Sequence, residues 1–259
     1  MHAKPDTLCR PGKISRKTDY STAAMARTQL AAPPRYRAVL LDRDGVINSL
    51  VYHQDAGIID SPFTRAQFQL LPRVPEAIRV LSRLGLRVAV VSNQPGIAKG
   101  HLRPAMLEWF NRKLLEQVQA AGGRIDRIFY CLHHPDAIVP SLRRRCHCRK
   151  PQTGLLERAA AALKVSLSEC YMIGDGIPDM LAGTRAGCRT IFVGKWKCEI
   201  CQIKEARQIR PAVVAQDLWH AVKLIRQELK LARAPISPVA HFSFGAGRAG
   251  NHLEAPLPG

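Results

Sequence analysis

Residues 40–48 read LLDRDGVIN, and the apolar residues Ala38 to Leu41 run directly into two acids, Asp42 and Asp44, with Arg43 between them and Gly45 after. A short apolar run bounded by such punctuation predicts a buried strand. Ending it on two carboxylates is costly, because neighbouring acids repel and are expensive to desolvate. A metal ion and a phosphate held between them would offset that cost. In a strand, side chains at i and i+2 share a face, so the spacing predicts that both acids reach one ligand.

The same grammar repeats along the chain. The pattern predicts strands over 36–42, 86–93, 127–131, 170–175 and 189–194, and helices over 74–85, 103–123, 153–165, 178–187 and 217–230. Short apolar strands alternating with amphipathic helices imply a parallel sheet covered on both faces. The expected fold is a doubly wound, Rossmann-like α/β domain. In such sheets ligands bind beyond the carboxyl ends of the strands. Those ends deliver Asp42 and Asp44, then Ser92, Asn93 and Gln94, then Asp175 with Asp179 one helical turn on, and a long loop that ends in Cys148-Arg149-Lys150-Pro151.

The set DRDGVIN, SNQPGIAKG, CRKP and GDGIPD resembles the haloacid-dehalogenase-like phosphohydrolases. The resemblance implies a phosphoric monoester hydrolase that works through an aspartyl-phosphate. Asp42 would be the nucleophile, and Asp44 the general acid and then the base. Lys150 would neutralise charge in the transition state. Mg²⁺ would be held by Asp42, the Asp44 backbone carbonyl and Asp175. Ser92 and the Asn93 amide would bind phosphate, with Arg43, Gln94 and Arg149 as further substrate contacts. Asp179 would orient Lys150 or support the metal.

The loop CLHHPDAIVPSLRRRCHCRKP puts twelve residues between Cys131-x-His133 and Cys146-x-Cys148. Three Cys and one His make a closed tetrahedral zinc set, structural rather than catalytic. His134 and His147 stand beside these ligands as substitutes, and the resemblance favours His133. Its last ligand lies two residues before Lys150, so metal binding would fix a catalytic residue. The loop resembles the capless branch that holds heptose-bisphosphate phosphatases and histidinol-phosphatase domains. A small phosphorylated sugar is the expected substrate and histidinol phosphate its first rival. Further alternatives are a polynucleotide 3′-phosphatase and a zinc-containing nucleic-acid-binding protein. Against the nucleic-acid readings, no aromatic platform for bases is evident.

Composition sets the outer bounds. The 259 residues suffice for one sizeable domain with tails. Residues 1–35 and 232–259 read as unstructured arms around a 36–231 domain. The formal charge of +19 favours anionic partners. Residues 1–35 hold only seven Lys/Arg against two Asp, so most of that excess belongs to the body. No apolar run is long enough to span a bilayer, and the basic N-terminus has no apolar signal core. A cytoplasmic monomer with no membrane or nucleic-acid partner is expected. The eight cysteines then imply metal ligation before disulfides. Cys198 and Cys201 form a second pair that supplies only two ligands.

Overall fold

A computed structural model describes residues 36–194 and 210–232. The arm expected over 1–35, all of the arm expected over 232–259 but Ala232, and the Cys198/Cys201 pair lie outside the described residues.

Strand β1 is Ala38–Leu41, and every residue in it is buried. It pairs in parallel with β4 (Arg87–Asn93) on one side and β6 (Cys170–Gly174) on the other. Beyond β4 lies β5 (Arg127–Cys131); beyond β6 lie β7 (Arg189–Val193) and β8 (Val213–Ala215). The order is β5-β4-β1-β6-β7-β8, all parallel. The chain therefore winds outward from β1, returns to its other side and winds outward again. This puts the reversal point, where ligands bind, at the carboxyl end of β1.

Register sorts the strand side chains onto two faces. Val39, Leu41, Val88, Val90, Tyr171 and Ile173 share one face. They pack against α1 (Val74–Arg83), α2 (Pro104–Ala120) and α5 (Leu218–Leu231). Ala38, Leu40, Ala89, Val91, Cys170 and Met172 share the other. That face packs against α3 (Gly154–Leu163) and α4 (Ile177–Arg185). Its smaller side chains meet an alanine-rich helix, so the backbones can approach closely. Because both faces are covered, the strands read as continuous apolar runs rather than alternating ones.

Two features were not anticipated. Strand β8 is three residues long and carries too little pattern to announce itself. The segment between β1 and α1 forms a small antiparallel ribbon, β2 (Val51–His53) with β3 (Ile58–Asp60), which exposes Tyr52 and Ile59. It is a ribbon and not a separate domain, in keeping with a capless mouth.

Helix α4 meets the sheet through Gly183. A Cβ there would stand 2.7 Å from Thr190 Cγ2 and 2.9 Å from Met172 Cβ. Helix propensity alone favours Gly183→Ala by about 1 kcal/mol, but overpacking costs about 1–3 kcal/mol. Packing wins, so Gly183→Ala is expected to lower the urea midpoint. An increase would show that α4 sits loosely on the sheet.

Candidate active site

The site is built from the carboxyl ends of β1, β4 and β6 and from the loop that follows β5. Strand β1 stops at Leu41, and residues 42–48 form a turn in which the amides of Ile47 and Asn48 donate to the Arg43 carbonyl. The strand alternation expected to aim Asp42 and Asp44 together therefore ends before either acid. The turn separates them. Asp42 faces the lysine of the β5 loop, and Asp44 faces Arg43, Asn48 and Gln94.

Lys150 stands at the centre, with its side chain 2% exposed. Its ammonium lies 3.0 Å from Asp42 Oδ1 and 2.5 Å from Asp179 Oδ1, and it donates to the Val91 carbonyl at 2.8 Å. Burial alone pulls a lysine toward neutrality; here Asp179 and Asp42 outweigh it, and the net direction is upward. Asp179 is pushed up to about 6 by burial and by the Asp42 charge, against the pull of Lys150. Its second oxygen accepts from the Gly176 amide, which fixes the carboxylate at the start of α4. Of the two roles considered for Asp179, this geometry favours orienting Lys150. The Lys150 backbone is pinned as well: Asn93 Nδ2 donates to its carbonyl and its amide donates to Asn93 Oδ1, both at 3.0 Å.

Oxygens of Asp42, Asp175 and Asp179 lie within 4.8 Å of one another. Asp42 Oδ1 is buried and lacks a well-aligned hydrogen bond. An all-oxygen set of three carboxylates suits a hard divalent cation such as Mg²⁺. Glycines make the room. Gly45 takes φ +82, and a Cβ on it would fall 2.0 Å from Asp175 Oδ2. A Cβ on Gly174 would fall 2.2 Å from Asp179 Cβ.

Arg43 and Gln94, expected as substrate contacts, are both 0% exposed. Arg43 Nε and Nη2 and the Gln94 amide turn inward to Asp44 and to each other. Ser92 is nearly buried, and its Oγ accepts from Gln94 Nε2 at 3.1 Å. Arg149 is half-buried, with one guanidinium nitrogen 3.3 Å from the His133 carbonyl. Asn48, overlooked in the sequence, donates to Asp44 Oδ1 at 2.8 Å. The only signal for it was its place four residues on in the same motif.

Cys131, His133, Cys146 and Cys148 also converge. The three sulfurs lie 3.3–3.5 Å apart, and His133 Nδ1 is 3.4 Å from Cys148 Sγ and 3.8 Å from Cys131 Sγ. A tetrahedron with Zn–S of about 2.3 Å has edges of just under about 4 Å, so the set fits that ion. Burial raises the Cys131 and Cys148 thiols, while at Cys146 burial is outweighed by hydrogen bonds from its neighbours, which lower the thiol; a bound cation would hold all three as thiolates. His134 and His147 turn elsewhere, toward Asp136 and Glu157. The loop is tied to the turn after β4, where the Ile138 and Val139 amides both donate to the Ala98 carbonyl.

Comparison with known proteins follows the same lines. A family model described as HAD-hydrolase-like matches residues 147–221. A D-glycero-D-manno-heptose-1,7-bisphosphate 7-phosphatase of Chlorobaculum tepidum is 36% identical over 193 residues, covering 72% of this chain and 92% of that protein. The D-glycero-beta-D-manno-heptose-1,7-bisphosphate 7-phosphatase of Escherichia coli K12 is 36% identical over 153 residues, 59% of this chain and 76% of that one. A crystal structure of D,D-heptose 1,7-bisphosphate phosphatase from B. bronchiseptica, complexed with magnesium and phosphate, matches with a TM-score of 0.62 at 28% identity. The match covers 74% of this chain and 99% of that one.

The convergent sulfurs yield a direct test. Cys146→Ser is expected to lower the zinc content of the purified chain, read by atomic emission, and to drop the melting midpoint by roughly 5 °C or more. Unchanged metal content would contradict a closed tetrahedral site.

Proposed function

The chain belongs to the haloacid-dehalogenase-like hydrolases and is a phosphoric monoester hydrolase, and we propose that it removes the 7-phosphate of D-glycero-D-manno-heptose 1,7-bisphosphate. The observation that carries the chemistry is the Lys150 ammonium, buried between Asp42 and Asp179. The substrate assignment is supported by the Chlorobaculum relative, which this chain matches over 92% of its length.

Each residue then has one task. The Asp42 carboxylate attacks phosphorus while the bond from phosphorus to the sugar oxygen breaks. Asp44 gives its proton to the departing alkoxide. Asp44, now a carboxylate, takes a proton from water, which attacks the aspartyl-phosphate and releases inorganic phosphate. Both acids are then restored. Lys150 offsets negative charge on the nucleophile and the transferring group. Ser92 and the Asn93 amide hold phosphate oxygens, and Arg149 grips the second phosphate. Asp42, the Asp44 carbonyl and Asp175 would hold Mg²⁺, which when bound supplies charge stabilisation to the phosphoryl oxygens. Cys131, His133, Cys146 and Cys148 would hold Zn²⁺ as a structural staple that steadies the Lys150 loop. The reading implies a cytoplasmic enzyme; among the described residues no helix is long and apolar enough to cross a membrane.

The test is phosphate release from heptose bisphosphate, histidinol phosphate and 3′-phosphorylated oligonucleotides side by side. The heptose is expected to lead in kcat/KM by about tenfold or more, equivalent to roughly 1.4 kcal/mol of transition-state binding. A lead by either rival overturns the assignment. Asp42→Asn is expected to cut turnover about 10³-fold or more while far-UV circular dichroism stays unchanged. Substantial remaining activity would reject Asp42 as nucleophile.

A further inference from the structure

Arg43 is the largest fully buried side chain with a charge, and the mechanism above gives it no task. Its Nε lies 3.2 Å from Asp44 Oδ1, and its Nη2 lies 3.1 and 3.2 Å from the two Asp44 oxygens. The same Nη2 donates to Gln94 Oε1 at 2.7 Å. Gln94 completes the circuit, its Nε2 donating to Asp44 Oδ2 at 2.5 Å and to Ser92 Oγ at 3.1 Å. The guanidinium sits on two aromatic faces, 5.7 Å from the Phe110 ring centre and 5.5 Å from that of Tyr130. Helix α2 and strand β5 thus hold the arginine, and the arginine holds the acid. Asp44 itself keeps 11% of its side chain exposed.

An apolar side chain of similar volume could fill the Arg43 position without the cost of burying a charge. A planar fork does what an apolar group cannot, because it fixes the plane of a carboxylate. We infer that Arg43 and Gln94 are positioning residues that together aim the Asp44 carboxylate at the leaving-group oxygen. Gln94 ties that aim to Ser92, so the proton donor in the turn after β1 and the phosphate-binding hydroxyl of β4 share one hydrogen-bonded frame. The inference rests on the phosphatase reading and deepens it.

A misaimed acid has a specific signature. An alkoxide leaves only with a proton, whereas a nitrophenolate leaves stably without one, so loss of proton donation harms alkyl esters most. The test is kcat/KM of wild type, Arg43→Met and Gln94→Met on 4-nitrophenyl, phenyl and benzyl phosphate with Mg²⁺ present. Both variants are expected to lose about 100-fold on benzyl phosphate, the scale of a misplaced group, and less than about tenfold on 4-nitrophenyl phosphate. If Arg43→Met does not fold, Gln94→Met carries the test, since it keeps the volume and all buried charges. Equal losses across the series would overturn the inference and leave Arg43 a structural counter-ion. A wild type that cleaves none of these esters, nor heptose bisphosphate, would overturn the phosphatase reading and this inference with it.

Discussion

Four carboxylates meet at the mouth of this sheet, and two buried cations make the gathering tolerable. Asp42 and Asp179 share the Lys150 ammonium, and Asp44 is held by the Arg43 guanidinium. Asp175 joins Asp42 and Asp179 in the set of carboxylate oxygens that a divalent cation would occupy. Burying charge without such pairing costs several kcal/mol per ion, so the positions of these side chains are coupled. Asp42 and Asp44 keep separate tasks because they face different cations, Lys150 and Arg43.

The remainder of the fold can be understood as support for that arrangement. Strands β1, β4 and β6 lie side by side in register, so their ends bring Asp42, the Val91 carbonyl and Asp175 to one edge. Lys150 has no strand of its own; it arrives on a long loop. Asn93 pins its backbone, the Cys/His cluster ends two residues before it, and the Ala98 carbonyl ties down the loop further along. A flexible four-carbon side chain is thereby given one direction. On the other side of the site, Phe110 and Tyr130 do the same for Arg43.

Much of this was legible in the sequence, for physical reasons. Strands covered on both faces leave unbroken apolar runs, and amphipathic helices leave a 3.6-residue period, so five strands and five helices fell within a few residues of their expected bounds. The Cys-x-His and Cys-x-Cys spacing marked a metal set, and the structure brings those four ligand atoms together. Directions were harder. The alternation of a strand stops where the strand stops, at Leu41, so nothing in DRD showed that Arg43 would turn inward. Gln94 and Asn48 likewise look like polar loop residues until the turn that buries them is seen. Strand β8 and the β2–β3 ribbon are three residues per strand, below the length at which a period can be read.

The most direct measurement of the central claim is acid quench of wild type during turnover of a sugar phosphate, followed by peptide mass analysis. A single phosphoryl group on Asp42, labile in base and lost when Asp42 is replaced, is the predicted result. Turnover with no protein-bound phosphoryl group, or with that group on another residue, would contradict the division of labour between the two aspartates.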